Sequence, residues 1–426
     1  MNSRTKFVVV MSSTCLVALL LLGGVVSKGA AADDRPSADN SVYKHLAVYS
    51  EVLSRIKSEY VEEPDMSSVT LGALNGLLES IDPYASYLNA EQYKEYLKNF
   101  DTYRGDLGMV LAKKFGYITI VSVVPGSPAA KAGLTTGDML ESIKGIATRD
   151  MPLAYANLLL KGQPGTTVDL SVLRRKPEPQ KLTMTRAIVA PPSVESKMLP
   201  NNIGYIKIAA MGHNRIKEVA GAVADLQKQG AKKLLLDLRY SASGEPEDGV
   251  DLANLFLDKG LITYSQGQKS PRKNYDADAK KDITALPLVV LTNRGTAAAA
   301  EVAAAALQGD KRASLVGERT YGDASVLHAI TMDDGSAIIL SIAKYYSPDG
   351  KSIQDNGVTP EDLVADSEAP APDADDDDDA VAPNPGITGA PRTGDQAKKP
   401  GQAAENGKSG DDVILQKAIE IAQKKG

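Results

Sequence analysis

The sequence predicts a multidomain α+β protein, and three observations carry that prediction. Apolar residues at helical spacing run over residues 41–101, short apolar runs punctuated by glycine follow over 103–188, and from residue 203 strand-like and helix-like patterns alternate. At 426 residues and 43% hydrophobic content the chain can build several cores, and its 24% charged residues exclude a multispan membrane protein.

Residues 1–32 have the layout of a secretory signal. Arg4 and Lys6 precede an uncharged apolar run over 7–26, and Ala30, Ala31 and Ala32 stand before Asp33. The expected destination is the periplasm or cell envelope. The apolar run is also long enough to cross a bilayer as a helix, so an uncleaved anchor stays open as the one membrane contact. Cys15, the sole cysteine, lies inside this segment, so the exported chain forms no intrachain disulfide.

Residues 41–102 read as a helical N-terminal domain. Leu46, Val52, Leu53 and Ile56 share a face whose expected role is packing, and a second apolar stretch over 71–81 stops at Asp82-Pro83. His45 reads as a surface or core residue. In the β-rich module over 103–188, Ser127 caps a short helix opened by Pro128, and Gly133 ends it in a left-handed turn.

Residues 189–365 read as an α/β core: strands at 203–208, 234–238, 286–291 and 313–316, helices through Ile216 to Leu226, over 250–257 and over 296–307, and strand pairs within 326–343. Residues 366–411 read as a disordered acidic, proline-rich linker. Its first part, 366–391, holds eight acidic residues and no Lys or Arg, which leaves the rest of the chain, formally -6 overall, at a net charge of about +2. Over 412–426, Val413, Ile414, Ala418, Ile419 and Ile421 regain helical spacing, for docking onto the body or onto a partner.

Several function classes drop out. There is no basic stripe with interleaved aromatics for nucleic acid, no phosphate-loop sequence, and no His/Cys/Glu spacing for a metal, so neither metal nor cofactor is expected. What stays is peptide recognition. A loop such as Gly105-Asp106-Leu107-Gly108 can turn backbone N–H groups onto the carboxylate of a peptide C-terminus. Leu107, Gly108, Met109 and Val110 would then lead into a strand beside which the peptide adds, walled by a helix over 153–160. That loop, Val124-Pro125-Gly126-Ser127-Pro128-Ala129, Ala132-Gly133-Leu134 and Gly137-Asp138 together resemble a bacterial PDZ domain of the permuted kind.

The resemblance extends along the chain. Asp82-Pro83-Tyr84-Ala85-Ser86-Tyr87-Leu88, Ile203-Gly204-Tyr205-Ile206, Leu236-Asp237-Leu238-Arg239 and Tyr345-Tyr346-Ser347-Pro348-Asp349-Gly350 resemble the carboxyl-terminal processing peptidases, serine peptidases of family S41. The resemblance implies a ClpP/crotonase-like core, a serine nucleophile and a lysine base. At the matching stretches stand Ala300 for the nucleophile, Asp323 for the lysine, Leu327 for a glutamine, and Ser243 and Gly244 in a loop tied to the oxyanion hole. A methyl group cannot attack a carbonyl, and aspartate inverts the charge of the base. The expectation is therefore a pseudopeptidase that binds peptide or protein C-termini in the envelope. Its alternatives are a scaffold for an active homologous peptidase or for itself, and a peptidase of altered chemistry.

Overall fold

The computed structural model describes residues 38–102, 104–114, 116–174, 178–365 and 412–424. The expected signal over 1–32 and the linker over 366–411 lie outside the described residues. Two compact units divide after Leu71. The first holds α1 (Ala38–Glu59) and the first turns of α2 (Met66–Glu79). Asp65 caps α2, its carboxylate accepting from the Ser67 N–H at 2.9 Å and the Ser68 hydroxyl at 2.6 Å. On α1, Leu53 and Ile56 are half-buried, but Leu46 and Val52 stay exposed, so the expected packing face is only partly used. Among the described residues no helix is long and apolar enough to cross a membrane.

The second unit continues α2 and adds β1 (Ser86–Leu88) and α3 (Ala90–Thr102). A β-rich module follows: β2 (Gly105–Asp106), β3 (Met109–Lys114), β4 (Tyr117–Val123), α4 (Pro128–Lys131), β5 (Met139–Ile143), β6 (Ile146–Ala147), α5 (Leu153–Leu160), β7 (Thr167–Leu173), β8 (Gln180–Thr185) and β9 (Ala187–Ile188). The core comprises β10 (Glu195–Leu199), β11 (Ile203–Lys207), α6 (His213–Lys228), β12 (Lys233–Asp237), α7 (Pro246–Asn254), β13 (Leu261–Gln266), β14 (Lys273–Asp276), β15 (Leu288–Thr292), α8 (Ala299–Gly309), β16 (Ala313–Gly317), β17 (Ser325–Thr331), β18 (Ala337–Tyr346) and β19 (Asp362–Leu363). Helix α9 (Val413–Lys424) is the last described element.

The central sheet has the order β10-β11-β12-β15-β16-β19, parallel apart from the β10–β11 pair. Its central strands β12 and β15 are largely continuous apolar runs because both faces are covered. Alternation sorts them: Leu234, Leu236, Leu288 and Val290 face the core shared with α6, α7 and α8, while Leu235, Val289, Leu291 and Val316 face Ile414, Ala418 and Ala422 of α9. The terminal helix thus docks onto the body. Asp412 caps it by accepting from the Leu415 N–H at 2.9 Å, and Asp412 also forms a two-pronged pair with Arg239 at 2.8 Å on each prong.

A second sheet, β1-β18-β13-β14 with β17 also on β18, flanks the core. The segment expected to be wholly helical therefore contains a strand. Ser86 to Leu88 form it because they pair with Ile339 to Ala337 of β18, a partner far away in sequence that local pattern does not reveal. The β-rich module forms the sheet β3-β4-β5-β7-β8, with β6 on β5, around Leu107, Ile118, Ile120, Leu140, Ala156 and Val172. Its short helix is built as expected: the Ala130 N–H bonds the Ser127 hydroxyl at 3.1 Å, Pro128 opens it and Gly133 has φ 71°.

Candidate functional site

Strand β15 delivers the chain into a tight turn before α8. The Thr296 hydroxyl accepts from the Asn293 N–H at 3.1 Å and donates to the Leu238 carbonyl at 2.9 Å. The side-chain carbonyl of Asn293 accepts from both the Tyr240 N–H at 3.0 Å and the Gly295 N–H at 3.1 Å. Anchored this way, 296–298 cannot be helical, and α8 begins at Ala299, three residues later than the alanine run suggests. The turn ends at Ala298, whose φ of 53° and ψ of −123° is a conformation residues with a Cβ avoid. A strained strand-to-helix corner of this kind lifts one side chain clear of the sheet. Gly249 of α7 permits the close approach behind it, since a Cβ there would lie 2.1 Å from the Ala299 carbonyl oxygen.

Glu301 joins this corner to a second loop. Fully buried, it accepts from the Ala298 N–H at 3.2 Å, the Gly322 N–H at 2.7 Å, the Asp323 N–H at 2.7 Å and the Thr320 hydroxyl. Burial pushes its carboxyl up to about 8, partly offset by the donors from Thr320, Asp323 and Gly322. Asp323 is pushed up to about 7, first by burial and then by the nearby carboxylates of Asp82 and Asp355. Lys344 is a cation in this neighbourhood, and it is engaged by Asp355 at 2.6 Å. Tyr84 and Tyr321, both within the field of Asp323, are raised well above the ordinary phenol value by burial.

The loop over 240–244 closes the third side. Tyr240 has φ 61°, the Ser241 carbonyl accepts from the Ala297 N–H at 2.9 Å, and the Ser241 and Ser243 hydroxyls have no hydrogen-bond partner among the described residues. Gly244, at φ 96°, could not carry a Cβ without meeting Met211 at 2.5 Å. The β-rich module packs directly over this loop and the corner: Ala112 and Val121 cluster with Ala242 and Ala297, and the Ser122 hydroxyl donates to the Tyr240 carbonyl at 2.5 Å. Lys113 and Glu79, paired at 2.8 Å, and the Ala154 N–H on the Ser86 hydroxyl at 3.2 Å tie the module to α2 and β1.

Residues 202–364 match the model of peptidase family S41, and residues 119–174 match that of the PDZ domain. The carboxy-terminal-processing protease of Bartonella bacilliformis is 31% identical over 341 residues, covering 79% of this chain and 78% of that protein. The chain belongs to the S41 carboxyl-terminal processing peptidases. The carboxy-terminal processing protease CtpA of Bacillus subtilis is 36% identical over 312 residues, covering 72% of this chain and 66% of that protein, just under two thirds of its length. In structure, the photosystem II D1 C-terminal processing protease aligns with a TM-score of 0.62 at 25% identity, over 75% of this chain and 92% of that one.

The S41 core brings the sequence-selected residues together unevenly. Ala300 sits in the first turn of α8, fully buried in the core shared with Val302 and Ala303, whereas Ala298 is only part-buried at the strained corner. Asp323 lies one hydrogen bond from Glu301, and Ser243 and Gly244 belong to the loop whose Ala242 packs on Ala297. Leu327, 48% exposed on β17, is the outlier. In the PDZ module Leu107 and Gly108 are buried, while Met109 and Val110 are part-buried at the start of β3. Sequence reasoning missed Ala298, Glu301 and Asp82. One local signal was available: a glutamate three residues after a helix start marks position 298 as the cap.

Proposed function

We propose that this S41 homologue is an exported envelope protein that holds polypeptide C-termini in its PDZ module without cleaving them. The observation that carries this reading is the pairing of a methyl side chain, Ala298, at the strained corner with a carboxyl, Asp323, on the loop that Glu301 ties to it. Neither Ala298 nor the buried Ala300 offers a nucleophile. An aspartate beside a buried glutamate offers no cation to the charge that develops in acyl transfer. The packing of Ala112 and Val121 over Ala297 also covers the corner.

A second reading keeps hydrolysis, with Asp323 activating water. It is favoured by the displacement of Asp323 to about 7, a value suited to proton transfer near neutrality. Helix α9, the segment expected to dock onto the body or onto a partner, packs on the protein's own sheet, which favours the binder over scaffolding of an active homologous peptidase. Incubating the chain from Asp33 onward with a pool of peptides bearing free C-termini, and reading retained peptides and new termini by mass spectrometry, separates the first two. Retention without new termini supports the binder. New termini that vanish in Asp323→Ala establish the hydrolase.

A further inference from the structure

The loop that would receive a peptide carboxylate already holds one. The Gly108 N–H, buried and aimed across the loop, donates to the side-chain carboxylate of Asp106 at 2.8 Å. The neighbouring groups fix this arrangement. Gly105 exchanges both backbone hydrogen bonds with Gly162, each at 3.0 Å, just beyond α5. Strand β2 pairs with β9 so that Asp106 stands opposite Ala187. The Leu107 carbonyl accepts from the Ala129 N–H and the Gly108 carbonyl from the Val124 N–H, both at 2.9 Å. Gly108 has φ 79°, and a Cβ there would lie 2.3 Å from Cβ of Ser127.

A cation stands behind this loop. Arg186, adjacent to Ala187 and 4% exposed, donates to the Leu159, Leu160 and Thr167 carbonyls at 2.7–2.9 Å and to the Thr166 hydroxyl at 3.0 Å. Leu159 and Leu160 end α5 and Thr166 and Thr167 lead into β7, and none of these acceptors carries a full negative charge. Asp106 is the acidic group whose field acts on Arg186, opposing the effect of burial. An N–H aimed inward, with a buried cation nearby, is the combination that binds a carboxylate.

We propose that Asp106 is the resident anion of the PDZ loop and sets its specificity: its carboxylate occupies the N–H and the cationic field that a ligand's C-terminal carboxylate would take. A peptide C-terminus must displace a like charge, and an extended segment added beside β3 gains little from ending in a free carboxylate. This rests on the peptide-binding reading above and narrows it: C-terminal segments are held along β3, and their terminal carboxylate adds little to that hold.

The test measures affinity for matched fluorescent peptides ending in a free acid or an amide, by anisotropy, on the full exported chain and its Asp106→Ala and Asp106→Asn variants. The expected result is an acid-to-amide preference below about threefold in the parent chain. It rises at least tenfold in Asp106→Ala through tighter acid binding. Asp106→Asn, which keeps an acceptor for Gly108 but drops the charge, falls between and guards against a folding defect in the alanine variant. Peptides bound with the same preference in all three proteins overturn the role of Asp106 and leave peptide binding standing. No binding of either peptide to any of them overturns both.

Discussion

Replacing Asp323 by asparagine removes an ionisable group from the crowded carboxyl cluster and keeps its shape. In the folded protein this carboxyl is pushed up to about 7 by burial, Asp82 and Asp355, against an ordinary value of 3.8 when the chain is unfolded. Between those values the folded state binds a proton that the unfolded state does not. Stability therefore falls as pH rises through that window and levels off above it. The displacement corresponds to about 4 kcal/mol, and the solvent that reaches this part-buried side chain reduces it to about 2 kcal/mol. Glu301, pushed up to about 8, adds loss of the same sign in both proteins. The assay is urea unfolding at pH 5, 6, 7 and 8. The parent chain should lose stability steadily, and the asparagine variant should lose about 1 kcal/mol less between pH 5 and pH 8, because the part of the window between 3.8 and 5 lies below that range. Parallel pH profiles for the two proteins would refute the placement of Asp323 in a buried site beside other carboxylates.

Four further outcomes follow from the geometry. Ala298→Ser combined with Asp323→Lys places a hydroxyl at the strained corner and an amine on the facing loop. It should generate new peptide termini by mass spectrometry, whereas Ala300→Ser, alone or with the same lysine, should generate none. Ala300→Ser should also lower unfolding stability by about 1–3 kcal/mol, because its hydroxyl would be buried among alanines. Gly249→Ala drives a methyl into the Ala299 carbonyl 2.1 Å away and should cost about 3 kcal/mol or more, read by urea midpoint. Ile414→Ala, which opens a cavity under α9, should cost about 3 kcal/mol by the same measurement.

Much of the fold was legible because it is locally written. Helix α5 falls over 153–160 as expected, and the Ser127-Pro128 start and Gly133 stop of α4 are set by residues within a few positions of one another. The strands of the central sheet were found because double-sided burial makes them unbroken apolar runs. The corner at Ala298 was misread because alanine favours helix strongly, so the run from Thr296 looked uniform. What breaks it is tertiary: Thr296 reaching Leu238, and Asn293 holding Tyr240. The same holds for β1, which is a strand only beside β18. At Asp106 the residue was in view, but whether its carboxylate points into the loop or out to water is decided by backbone dihedrals that composition does not encode.

The terminal helix, α9, has an unexpected standing in this architecture. Leu291 and Val316, central strands of an S41 core, owe their shelter to a helix that rejoins them only after the whole of 366–411. Deleting everything past residue 365 is therefore an excision from the protein's middle and not the trimming of a tail, and it should yield insoluble material. Cutting one peptide bond within 366–411 removes none of the described contacts. It should give two bands on a denaturing gel from a particle whose native mass has not changed, and a synthetic peptide spanning 412–426 should rescue the truncated chain when added in trans.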